Sequence, residues 1–215
     1  PALSRESSLG LPLLFMVRFR MTFVSRAQGG ALFGLDARIA MAIFGVLTLV
    51  AGAAVINNMD SSRAKSLAGE LAEMGKAVEA IHTDLKADLF EALENPTEKN
   101  AFAALFDNMA IADRDNLRGK WLGPYITFTS AVHPRYGNLL VQKRAALHTA
   151  TCNPDELCYL WVVYSNVKTD ISREVNELVD GTLEASPETE GRVQWPTGSA
   201  EGPLYYRAGK ALKGE

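Results

Sequence analysis

The residues with the chemistry to form a bond or hold an ion are few. Cys152 and Cys158 are separated by five residues, Asn153 to Leu157, a spacing that a turn can close. A second pair, which a zinc site would need, is missing, so a small disulfide loop is the expected use. The three histidines, His82, His133 and His148, have no cysteine or carboxylate partner at ligand spacing, and no catalytic or metal-ligating role is assigned to them. A glycine-rich phosphate loop, a nucleophile elbow and a paired-carboxylate motif are all missing from the sequence, which lowers an enzymatic reading. The expectation is a protein without catalytic residues.

A disulfide requires an oxidising compartment. The N-terminal third supplies the reason to expect export. From Ile39 to Ile56 run eighteen residues without a charge, with Thr48 the one polar interruption, which reaches the lower limit for a helix that spans a bilayer. Secretory signal peptides have a shorter apolar core and a small-residue cleavage site after it. Here the pattern passes directly into a second periodic stretch, where Leu67, Leu71, Met74, Val78, Ile81 and Leu85 recur at alternating spacings of four and three. That is one apolar stripe on a helix. Arg63, Lys65, Glu70, Glu73, Lys76, Glu79 and Asp84 occupy the other side. With no proline between the halves, a single helix is expected from about Leu35 to Glu94, stopped by Asn95-Pro96.

The segment LFGLDARIAMAIFGVL, Leu32 to Leu47, resembles the N-terminal segment of type IV pilins and of the pseudopilins of type II secretion. In that family a short basic leader is removed, an acid stands just inside the new N-terminus, and a glycine follows nine positions after the acid. Asp36 and Gly45 stand in that relation. The sequence departs from the pattern in having Asp36 for the usual glutamate, Arg38 in an apolar stretch, and Ala31 before the implied new N-terminus at Leu32. Cleavage between Gly34 and Leu35 is the alternative, and it sets Asp36 too early for the register. Residues 1–31 are read as a leader or an over-extended N-terminus, 32–59 as the apolar helix, and 60–215 as an exported head that includes the amphipathic half.

The resemblance implies a structural subunit that waits in the inner membrane, is trimmed by a prepilin peptidase, methylated at its new amine, and assembled by a dedicated machinery into a periplasmic or extracellular filament. Self-association would run through the apolar helix. The acid would pair with the free N-terminal amine of a neighbouring subunit, because a buried carboxylate is costly unless paired. Asp36 can equally be an N-cap for the helix. The competing reading is a signal-anchored periplasmic sensor or binding domain, in which residues 39–56 remain a membrane span.

Some pseudopilins hold calcium in a head loop, and Asp180, Glu184, Glu188 and Glu190 offer oxygen ligands suited to a hard cation. A solvated acidic loop is the alternative, and no cofactor is otherwise expected. Nucleic acid is set aside: 22 basic and 25 acidic residues leave a formal net charge of -3, and no Lys/Arg-rich run occurs.

The head reads as α+β. After a short helix from Lys99 to about Met109, the string Trp121-Leu122-Gly123-Pro124-Tyr125 resembles a W-x-G-P-Y sequence of pseudopilin heads. Strands are expected over Ile126 to Val132, Leu139 to Leu147 and Tyr159 to Val167, with residues 133–138 as a turn. A short helix carrying Ile171, Val175, Leu178 and Val179 would end at Gly181, and Leu204 to Arg207 would form the last strand. A small antiparallel sheet packed on the amphipathic half of the long helix would give the apolar stripe its partner.

Overall fold

A computed structural model describes residues 33–153, 156–181 and 186–212. The fold is α+β: a long N-terminal helix and a five-stranded antiparallel sheet. Helix α1 spans Phe33–Leu85. The chain divides into two units, one ending at Leu49 and the other running from Val50.

In the first unit the described side chains of α1 from Asp36 onwards are exposed. In the second unit the stripe read from the sequence is the core: Leu67, Leu71, Met74, Val78, Ile81 and Leu85 are all buried. They pack against inward residues of the sheet, Leu139 and Val141, Leu160, Val162 and Tyr164, and Leu204, Tyr206 and Ala208. Those positions alternate along each strand, as a pleated sheet with one covered face requires. Gly75 lets the sheet come close, since a Cβ there would sit 3.2 Å from the Tyr206 hydroxyl.

The long helix ends earlier than expected. Lys86 adopts a left-handed φ of 52°, and Asp88 caps a separate short helix α2, Leu89–Ala92, by accepting from the Phe90 N–H at 3.0 Å. Proline therefore does not terminate α1; a left-handed residue and a new N-cap do. Leu93 then bridges to Ile111. Helix α3, Glu98–Ala103, is shorter than the sequence suggested and is followed by turns and a 3-10 helix at Asn108–Ala110. Helix α4 is one turn, Leu117–Lys120.

The Trp121 to Tyr125 string docks the following loop onto the core. The Trp121 indole donates to the Ala104 carbonyl at 2.8 Å, its ring meets Tyr125 edge-on at 5.6 Å, and the Tyr125 hydroxyl donates to Asp84 at 2.7 Å.

The strand expected over Ile126 to Val132 is not one. Strand β1 is Val132–His133 alone, and residues 126–131 are bends and irregular chain. Phe128 turns onto Phe102 with ring centroids 6.1 Å apart, and Ser130 bonds the Val132 carbonyl, so side chains hold most of this segment, and only its last residue, Ala131, accepts from β2, at the Leu139 N–H at 2.9 Å. Strand β3, Tyr159–Lys168, lies where expected, while β2, Gly137–Arg144, takes in the last two residues of the expected turn and stops three residues before Leu147. Helix α5, Thr169–Asp180, ends on Gly181 at φ 84°. Strand β4 is Val193–Gln194, and β5 is Glu201–Lys210, longer than its apolar centre announced. The strand order is β1-β2-β3-β5-β4, with every pairing antiparallel.

Candidate functional site

The first candidate is the apolar part of α1. Ile39, Met41, Ile43, Phe44, Val46 and Leu47 are each at least half exposed, and they face every direction around the helix. Thr48, the polar interruption, donates its hydroxyl to the Phe44 carbonyl at 2.7 Å, so it presents no unmet donor to apolar surroundings. The helix is long and apolar enough to cross a membrane. Asp36 lies in its first turn and is exposed, with no hydrogen bond or ion pair among the described residues. A Cβ added at Gly34, Gly45 or Gly52 would meet nothing within 4 Å among the described residues, so packing among them does not require glycine there. Leu35 lies within α1, while Ala31 and Leu32 lie outside the described residues.

Cys152 and Cys158 form a disulfide, with their Cα atoms 5.6 Å apart. It closes the loop that enters β3, and the Cys158 carbonyl accepts from the Ala211 N–H at 2.9 Å just beyond β5.

The histidines fall in three separate places. His148 is buried, stacked on Tyr205 at 4.1 Å, with Nδ1 2.9 Å from Gln194 Oε1. His133 stacks on Tyr136 at 4.7 Å, and its Nδ1 accepts from the backbone N–H groups of Arg135 and Tyr136 at 3.1 and 3.0 Å. Only a neutral ring with its proton on Nε2 can accept twice at Nδ1. That nitrogen faces Glu70 Oε2 at 3.6 Å, a charged pair only for a protonated ring. Burial and the nearby Arg135 charge both lower the His133 pKa, which agrees with the neutral form. With Nδ1 doubly occupied and Nε2 protonated, the ring has no lone pair for general-base work.

Glu70, expected on the wet side of α1, is instead half-buried. Burial raises its carboxyl pKa, opposed by the hydrogen bond that Tyr164 donates at 3.3 Å. The tyrosine is itself pushed up by burial and by the adjacent carboxylate. His82 has its pKa lowered by burial, and its Nε2 is enclosed without a hydrogen-bond partner among the described residues.

The acidic loop directs its oxygens to the protein's own donors. Asp180 accepts from the Arg192 and Val193 N–H groups at 3.0 and 3.1 Å and from the Asn176 amide at 3.2 Å. Glu188 accepts from Thr197, and Glu190 from the Ser186 N–H at 3.4 Å. Glu184 lies outside the described residues. Among the described residues no group of three or more His, Cys, Asp or Glu is placed to share a metal ion.

One arrangement had no sequence signal. Arg192, Arg207 and Lys210, with Tyr159, Glu79 and His82, line an open groove of about 580 Å³ beside β5. They come from four elements or loops, so no string could have announced them. Compared with family models, with curated proteins and with solved structures, the chain matches none.

Proposed function

We propose that this chain is the structural subunit of a type IV pilus-like or type II secretion pseudopilus filament, assembled through the apolar part of α1. The observation that carries the reading is a helix whose apolar side chains are exposed all round over residues 39–50. Water does not tolerate such a surface, so it needs either lipid or copies of itself.

In this reading the helix is stored in the inner membrane and then leaves it to bundle with its copies. Asp36 meets a neighbour's N-terminal amine and sets the axial register, since a slip would leave two charges unpaired. Glycine at positions 45 and 52, which packing among the described residues does not demand, gives a neighbouring helix room to approach. The head is carried outward and does no chemistry, and the disulfide suits the oxidising side of the membrane.

The second reading is a signal-anchored periplasmic binding domain, favoured by the open groove on the head. N-terminal sequencing and intact mass of assembled material separate the two. A chain beginning at Leu32 or Leu35, methylated at its amine, supports the filament; retention of residues before Gly30 in that material overturns it.

A further inference from the structure

The turn that joins β1 to β2 is closed by a side chain. Pro134 has no N–H to offer, and the Arg135 and Tyr136 N–H groups both donate to His133 Nδ1, at 3.1 and 3.0 Å. Strand β1 adds only two pairs, Val132 with Asn138 and His133 with Gly137. Strand β2 is held independently, since it pairs with β3 from Leu139 to Arg144.

The His133 ring stands where several elements meet. It stacks on Tyr136, meets Tyr164 of β3 edge-on at 5.8 Å, and lies 6.0 Å from Phe128. From α1 the Glu70 carboxylate faces Nε2 at 3.6 Å and also accepts from the Tyr164 hydroxyl. The other charged groups around this contact are Glu73 and Arg63 on α1 and Arg135 in the turn. Tyr136 and Tyr164 are pushed up by burial and stay neutral, and residues 126–131 bring no ionisable group. Beside the ring is an open hollow of about 400 Å³, lined by Ser66, Glu70, Pro134 and Arg135.

With its proton on Nε2, the neutral ring has one lone pair left, at Nδ1, and both turn bonds use it. A second proton can go nowhere else. Once it is there, two backbone N–H groups point at a third N–H, so neither bond survives, whatever the cation gains from Glu70. Burial first and the Arg135 charge second hold the ring below the ordinary histidine value of 6.5, so the change falls on the acid side of it.

We propose that the β1–β2 turn is an acid-released latch: protonation of His133 at Nδ1 breaks both bonds that close the turn and loosens it against α1, while β2 and β3 keep their pairing. The head thereby responds to acid at one edge of its sheet without unfolding. The latch lies wholly within the unit that starts at Val50, and it does not rest on the filament reading.

The test is nuclear magnetic resonance of the full ¹⁵N-labelled chain in uncharged detergent micelles, titrated from pH 8 downward. The imidazole nitrogens report protonation of His133, and hydrogen exchange reports the Arg135 and Tyr136 amides. Both amides are expected to lose protection by about tenfold or more, with the midpoint of the His133 titration, while the β2 and β3 amides keep theirs. His133→Asn keeps an acceptor oxygen in reach of the turn that does not titrate in this range, so its turn amides should stay protected throughout. Glu70→Gln removes the other titrating group at the contact, and release should persist in it. If His133→Asn fails to fold, the coincidence of the two midpoints in the unaltered chain decides alone. The proposal is overturned by turn amides that stay protected after His133 is protonated, or by a ring that stays neutral until the head unfolds. Equal loss of protection in folded His133→Asn, or loss abolished by Glu70→Gln, overturns it as well.

Discussion

Lys143 on β2 reaches across to Asp88, with Nζ 2.9 Å from Oδ2 of a carboxylate that has no exposed surface. The same carboxylate caps α2 through the Phe90 N–H. One side chain thereby fixes the sharp turn after α1 and ties that turn to the sheet. A buried carboxylate with a cationic partner and a backbone donor is stable as a unit and costly when broken.

Asp88→Ala should therefore destabilise the head by about 3 kcal/mol, the sum of a lost cap and a broken buried pair. Lys143→Met should cost at least as much, because it leaves the fully buried Asp88 carboxylate without its cation, whereas Asp88→Ala leaves a Lys143 that is 28% exposed and can turn to water. Thermal or urea unfolding followed by circular dichroism measures both, and a loss in Lys143→Met well below that in Asp88→Ala would show that the cap dominates.

Acid should weaken the head between neutrality and mildly acidic pH. His82 and His133 both have folded-state pKa values below the ordinary histidine value near 6.5, chiefly through burial. As pH falls through about 6.5 the unfolded chain takes up protons first, so stability present above that value is lost as pH drops toward the folded values. Urea midpoints at pH 8 and pH 5 should differ, and His82→Gln with His133→Gln should shrink the difference. An unchanged difference would assign the acid sensitivity elsewhere.

Reducing the disulfide should leave the fold in place while lowering stability by roughly 2 kcal/mol, the chain-entropy value for so short a loop. Cys152→Ser with Cys158→Ser should reproduce the shift, and adding reductant to that variant should do nothing more. Thermal unfolding with and without reductant reads both.

Asp36→Ala should not change the unfolding of the head, because Asp36 is exposed in the unit that ends at Leu49. Under the filament reading it should sharply reduce the yield of sheared filaments. Normal yield would tell against a register role, and α1 starting at Phe33 places Asp36 inside the first turn rather than at the N-cap the sequence also allowed.

The helical stripe was legible because burial follows the 3.6-residue period so directly: all six residues from Leu67 to Leu85 are buried. The end of α1 was not legible, since nothing about Lys86 advertises a left-handed φ, and the later Asn95-Pro96 carried the stronger stop signal. Ile126 to Val132 has the composition of a strand, yet its aromatic residue is drawn to Phe102 and its Ser130 bonds locally, so tertiary packing overrode a weak preference. Strand β4 is two residues long and leaves no pattern to read. The apolar segment of the candidate site was plain in the sequence. The groove beside β5 was invisible there, because its lining from α1, β3, β5 and the loop before β4 is assembled only in the fold.

The most direct test of the filament reading places a single reporter on the apolar segment. Leu49 is 76% exposed, and the native cysteines are already paired with each other, so Leu49→Cys introduces one free thiol. Lipid-free filaments sheared from cells and mildly oxidised should then yield covalent dimers that reductant reverses. A Leu49→Cys chain that stays monomeric in the membrane fraction, with fibres that contain none of it, would contradict the account.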